Sequence, residues 1–178
     1  MPTEILGGVM GVVLGIYLFA PLFPFLYVML RWRSSAAGEP GIGTHGAFHY
    51  FRALAVVGAC AGISMGLFAL LKKGESERMM RPSMGILAAA LFFYFLNFIC
   101  SQKLPPTPAN HPVRRIFDGF LLVLSGLVVF VAMIVFFIEL LDKSVDKEVL
   151  KGAGSWGAVW LAAFFWRAYL LVEPIRRP

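Results

Sequence analysis

The stretch GFLLVLSGLVVFVAMIVFFI, residues 119–138, contains no charged side chain and decides the class of fold. The hydrocarbon core of a bilayer is about 30 Å thick, and a helix rising about 1.5 Å per residue crosses it with about 20 residues. The whole chain has the matching composition, since 59% of its 178 residues are hydrophobic and 15% are charged. Such blocks are typical of transmembrane helices and too long for the core of a soluble domain.

Further apolar stretches lie on both sides of this one, and each is bounded by charged or loop-forming residues. The sequence predicts an all-α integral membrane protein, a bundle of five transmembrane helices with short loops. The predicted spans are residues 5–30, 48–71, 82–101, 113–141 and 154–172. The connections are too short for a second domain, so residues 1–178 are expected to form one bundle. The last span is the least apolar, so a bundle of four is the alternative. No Lys or Arg precedes the first span, which favours a retained helix over a cleaved signal peptide.

Local sequence predicts where the elements begin. Pro82 is well placed for the first turn of the third helix. The glycine-rich stretch 34–46 is expected to be a loop, which would put His45 outside a regular helix. Residues 142–151, DKSVDKEVLK, are expected to form a short amphipathic surface helix.

Basic residues divide almost equally between the two sides of a five-span bundle. We call the side with the first and third loops and the C-terminus face A, and the other side face B. Face A has Arg31, Arg33, Arg52, Lys103, Arg114, Arg115, Arg176 and Arg177, and face B has Lys72, Lys73, Arg78, Arg81, Lys143, Lys147 and Lys151. Because Lys and Arg counts orient membrane proteins, this small excess favours face A, and with it the C-terminus, on the cytoplasmic side. The expected location is a bacterial inner membrane or an organellar membrane.

Two trios of glycines predict close helix packing. Gly7, Gly11 and Gly15 lie on one face of the first predicted helix, and Gly58, Gly62 and Gly66 lie on one face of the second. Glycines four residues apart form a glycine zipper, along which two backbones can approach closely. We expect these faces to pack on each other or on neighbouring helices of this chain. The alternative is that one of them faces another subunit.

Polar residues recur near face A, and they are the candidate site. The residues are His49, Arg52, Asn97, Asp118 and Arg167. Charged groups inside a membrane cost about 2.5–3.5 kcal/mol each at mid-bilayer on insertion scales, so they tend to face the bundle interior or one another. An ion pair between Asp118 and Arg167 is the most specific contact predicted. The alternative is that the Arg167 side chain extends toward the nearby helix end and water.

Small and large residues are distributed unequally along the spans. Small residues fill the face B halves of the third and fifth spans, whereas aromatic residues crowd the face A halves. The aromatics are Phe19, Phe23, Phe25, Tyr27, Phe92, Phe93, Tyr94, Phe95, Phe98, Phe164, Phe165 and Trp166. This asymmetry predicts a bundle that is tight toward face B and wider toward face A. Phe136 and Phe137, near face B, depart from the pattern.

The sequence predicts no metal site and no cofactor. His45 and His49 are four residues apart and His111 is on the same side, but no carboxylate ligand pattern accompanies them, and haem ligands would be expected deeper in facing helices. Cys60 and Cys100 have no ligand or disulfide spacing. Nucleophile-elbow, phosphate-binding and dinucleotide-binding motifs are also absent from the sequence.

Three functions are consistent with these features, and a non-catalytic role is favoured over an enzymatic one. The first is a small non-catalytic accessory or scaffold subunit of a larger membrane complex, with an aromatic surface that contacts lipid. The second is a membrane-embedded binding protein or enzyme for a lipid, quinone or other amphiphile, with the polar residues holding its head. The third is a small transporter. The expected partners are membrane lipids and other membrane subunits or further copies of the chain, and no nucleic acid.

Overall fold

The structure, a computed structural model, describes residues 21–34, 42–72, 76–103, 110–141 and 146–176. The described residues form five α-helices: α1 Leu22–Ser34, α2 Ile42–Leu71, α3 Ser76–Gln102, α4 Asn110–Leu141 and α5 Lys147–Arg176. Helices α2 to α5 are each long and apolar enough to cross a membrane. The all-helical membrane fold predicted from the sequence is therefore confirmed. Most of the first predicted span, with Gly7, Gly11 and Gly15, lies outside the described residues.

The helices are longer than the apolar stretches that predict them. Helix α2 begins at Ile42, so His45 is helical and buried, and the expectation that it lies in a loop is wrong. Helix α3 begins at Ser76, so Pro82 lies inside the helix and not in its first turn. Hydropathy reports the thickness of the hydrocarbon layer, whereas a helix continues as long as its backbone groups find partners.

Residues 142–145 of the predicted surface helix lie outside the described residues. The described remainder does not form a separate surface helix, because Lys147 is already the first residue of α5. Asp146 caps that helix: its Oδ1 accepts a hydrogen bond of 2.8 Å from the backbone N–H of Glu148. An Asp in this position satisfies a backbone donor that the first turn leaves free, and its charge suits the positive helix end. The cap thus defines where the last helix starts.

Two antiparallel hairpins, α2–α3 and α4–α5, make up most of the bundle. They meet through α2, which packs on both α4 and α5, while α1 lies on α2 and also touches α4. The core where the hairpins meet consists of Val28, Ala53, Val57, Cys60, Val113, Phe117, Leu121 and Trp160. Helix α3 packs chiefly on α2 and is the most peripheral of the long helices. The face A ends of α2, α4 and α5 are thereby brought side by side.

The glycine face of α2 lies against α3. A Cβ added to Gly62 would lie 3.0 Å from the backbone nitrogen of Leu87, and one on Gly66 would lie 2.9 Å from the Ser83 hydroxyl oxygen. The same hydroxyl donates a hydrogen bond of 2.9 Å to the Gly62 carbonyl. Gly58 faces Ala90, one turn further along α3. Close backbone approach therefore holds the first hairpin together.

An ion pair joins the two hairpins at face B. Lys72, which follows α2, approaches Glu148 in the first turn of α5 with Nζ and Oε2 3.1 Å apart. One turn along α5, a Cβ on Gly152 would be in ordinary contact with the Phe68 ring at 3.6 Å. The bundle is thus connected at face B by packing and charge, and at face A by the polar residues described next.

Candidate functional site

The predicted polar residues of α2, α4 and α5 occur at one depth. Arg52 lies about 15 Å along the axis from the start of α2, Asp118 about 12 Å from the start of α4, and Arg167 about 14 Å from the end of α5, at about 1.5 Å per residue. All three distances are measured from face A ends, because α2 and α4 run away from that face and α5 runs toward it. The fold therefore gathers side chains that are far apart in sequence.

Asp118 and Arg167 form a buried ion pair between α4 and α5. Arg167 Nη1 donates to Asp118 Oδ1 at 2.6 Å, and the two residues are 8% and 7% exposed, respectively. A charge-assisted hydrogen bond this short is among the stronger polar contacts a protein makes. Of the two alternatives predicted for Arg167, the structure contains the ion pair.

A second arginine reaches the same carboxylate. Arg114 Nε lies 3.4 Å from Asp118 Oδ2, one helical turn away on α4, and its side chain is 45% exposed. Arg114 is not among the residues that the sequence predicts for the candidate site. The spacing of four residues between Arg114 and Asp118 is the pattern that would have revealed it, since such residues are neighbours on one helix face.

These side chains surround a small space that we call the arginine recess. Its volume is about 10 Å³. That is about the space one water molecule needs, whereas pockets for drug-sized ligands are about 300–1,000 Å³. The recess is lined by His49, Arg52, Ala53, Arg114, Phe117, Asp118, Leu121 and Arg167. An amphiphile cannot be enclosed in it as it stands.

The remaining predicted polar residues tie α2 to α3. Arg52 Nη2 donates to the Tyr94 hydroxyl at 3.2 Å, and its guanidinium carbon lies 5.5 Å from the centre of that ring. Asn97 Nδ2 donates to the backbone carbonyl of Phe48 at 2.9 Å. Asn97 does not line the arginine recess, so the five predicted residues form two adjoining groups that share Arg52.

The histidines of α2 are placed for packing. His49 stacks on Phe117 of α4 with ring centres 6.0 Å apart, and it lines the recess. His45 is buried one turn nearer to the helix start. Within the described ranges, no three His, Cys, Asp or Glu residues are grouped closely enough to hold a metal ion.

Five of the aromatic residues near face A point outward. Phe23, Phe92, Phe95, Phe165 and Trp166 are all more than half exposed. They form a broad apolar surface on the outside of the bundle, and none of them lines the arginine recess.

The arrangement can hold helices together and can attract an anion through its arginines, because guanidinium groups pair readily with carboxylates and phosphates. The described lining of the recess contains no Ser, Cys or Lys that could act as a nucleophile. Comparison with known proteins adds no family: no family model, no curated protein and no solved structure matches the chain.

Proposed function

We propose that this protein is a small non-catalytic subunit of a larger membrane complex, in which it serves as a helical scaffold. The observation that carries the proposal is the use of its polar side chains. The Asp118–Arg167 pair joins α4 to α5, while Arg52 and Asn97 join α2 to α3. Side chains that are engaged in this way stabilise the contacts between helices. The arginine recess that remains among them has a volume of only about 10 Å³.

The packing of the hairpins supports the same role. The Gly58, Gly62 and Gly66 face serves as a glycine zipper for α3, since it removes the side chains that would separate the two backbones. Helix α3 then turns Leu91, Phe92, Phe95 and Phe98 away from the bundle. In a membrane these side chains contact lipid or the helices of a neighbouring subunit, and a scaffold needs such a surface.

Native mass spectrometry of the full chain, purified from its own membranes in a mild detergent, tests the proposal. We expect the chain to co-purify in fixed stoichiometry with at least one other integral membrane protein. The complex should survive Arg115→Gln, which changes an exposed charge outside the recess. It should weaken with Arg167→Gln, which leaves the buried Asp118 with only the partly exposed Arg114 beside it.

A chain that stays monodisperse and free of protein partners in several mild detergents would overturn this function. If such a lone chain also retained one small organic molecule in fixed stoichiometry, an amphiphile-binding protein, enzyme or transporter would replace the scaffold.

A further inference from the structure

The arginine recess has more positive charge than its own residues neutralise. Among the described lining residues, three guanidiniums, those of Arg52, Arg114 and Arg167, face a single carboxylate, that of Asp118. Asp118 already contacts two of the arginines, at 2.6 and 3.4 Å. Excess charge near the hydrocarbon layer is costly, so an additional anion would stabilise this arrangement.

The depth of the recess identifies where that anion comes from. If α4, about 48 Å long, is centred on a hydrocarbon core of about 30 Å, the boundary of that core lies about 9 Å from its face A end. Asp118 is then about 3 Å inside the boundary and Arg114, one turn earlier, about 3 Å outside it. The headgroup region begins at that boundary. Arg114 is thus level with the lipid headgroups, and its side chain is partly exposed.

We propose that the arginine recess binds the phosphate group of an anionic phospholipid at face A. Planar guanidinium groups donate paired hydrogen bonds to phosphate oxygens, and Arg114 and Arg52 are the less buried of the three arginines. The recess is too small to take in a headgroup, so the phosphate lies at its mouth beside Arg114 and the acyl chains stay in the bilayer. Phosphatidylcholine has its own cation and gains less from the excess positive charge.

This site does not depend on the proposed scaffold role, because it needs only residues of this chain. It also differs from an internal substrate site, since one phosphate is held at the surface of the bundle. Inorganic phosphate offers the same chemistry, so the test must separate the two sources.

The test uses the full chain in detergent, titrated separately with phosphatidylglycerol, phosphatidylcholine and sodium phosphate. Binding is read by native mass spectrometry and by the melting temperature. We expect one resolved phosphatidylglycerol adduct and a raised melting temperature, with much weaker effects from the other two additions. Arg114→Gln should weaken phosphatidylglycerol binding about tenfold, the size expected for losing one charged hydrogen bond.

Arg115→Gln is the matched control, because it removes the same charge from the neighbouring exposed position, which does not line the recess. Affinity should change little in this variant. Arg114→Lys should bind with intermediate affinity, since lysine keeps the charge and loses the planar fork.

Equal binding of phosphatidylcholine, or an equal loss of affinity in Arg115→Gln, would overturn the site in favour of general surface attraction. Equal stabilisation by sodium phosphate would overturn the lipid as the source of the phosphate. Absence of a protein partner would contradict only the scaffold role, so the two failures are distinguishable.

Discussion

Arg167 is a charged residue that is buried in the face A half of the bundle although its neighbours in the sequence are exposed. Its sequence neighbours Phe165 and Trp166 are 63% and 62% exposed, whereas Arg167 itself is 7% exposed. A helix turns by about 100° per residue, so one position faces the interior while its neighbours face outward. The arginine is therefore held inside the protein by Asp118 and is not extended toward the helix end.

A double-mutant cycle on Asp118→Asn and Arg167→Gln tests the strength of that contact. Each single change should lower the free energy of unfolding by about 3 kcal/mol, because it breaks the buried ion pair and leaves one of its two charges inside the protein. The double variant should lose clearly less than the sum of the two, because neither buried charge then remains uncompensated. Stability in detergent can be followed by thermal or denaturant unfolding. Strictly additive losses would show that the two side chains do not interact energetically.

At the scale of the elements, the two hairpins differ in what lies opposite their glycines, which is backbone at Gly62 in the first and side chains in the second. Gly62 lies opposite the backbone nitrogen of Leu87. A backbone atom cannot move aside as the end of a flexible side chain can. In the second hairpin, Gly126 and Gly157 face the Phe164 ring and the Ala132 methyl group. The two hairpins should therefore differ in how they tolerate added methyl groups.

Gly62→Ala is expected to destabilise the protein by about 1–3 kcal/mol, the usual cost of overpacking, because its Cβ would lie 3.0 Å from the Leu87 nitrogen. Gly85→Ala is the matched control, since the space beside that helical glycine is open within 4 Å. The Gly85→Ala variant should be as stable as the unchanged protein or slightly more stable, because alanine favours helices more than glycine does. Melting temperatures of the two variants decide the matter. An equal effect at both positions would contradict close packing of α2 on α3.

For the whole molecule, the antiparallel order of the long helices sets which ends share a side of the membrane. The end of α3 and the start of α4 lie at face A, and the end of α4 and the start of α5 lie at face B. The Lys72–Glu148 ion pair agrees with this order, since it joins the end of α2 to the start of α5.

Cysteine labelling of intact cells and, separately, of inside-out membrane vesicles tests this arrangement. In a chain with Cys60 and Cys100 replaced by alanine, Lys103→Cys and Lys147→Cys should react with a membrane-impermeant thiol reagent from opposite sides. The slight excess of basic residues at face A predicts that Lys103→Cys reacts from the cytoplasmic side. Leu127→Cys, near the middle of the hydrocarbon layer, should stay unlabelled. Reaction of both loop positions from one side would mean that α4 does not cross the membrane.

Much of the fold could be predicted from the sequence, because hydropathy alone separates membrane spans from loops. The helix ends could not, as Ile42 and Lys147 show, because polar residues continue a helix beyond the hydrocarbon layer. The Asp118–Arg167 contact could be anticipated from depth and charge. Arg114 could not be recognised by depth, because it lies at the membrane surface, where a charge costs little and indicates no particular partner.

By itself, the sequence determined that the chain forms apolar membrane helices and that the ionisable residues of the candidate site lie near face A. Both follow from the cost of transferring charge into hydrocarbon, which depends on composition along the chain. Only the tertiary structure decided which partners those residues take: Asp118 receives both Arg114 and Arg167, Arg52 reaches Tyr94, and the Gly62 face meets α3. Such pairings depend on how each helix is rotated about its axis and which helices are neighbours. Hydropathy specifies neither, and short-range packing and hydrogen bonding specify both.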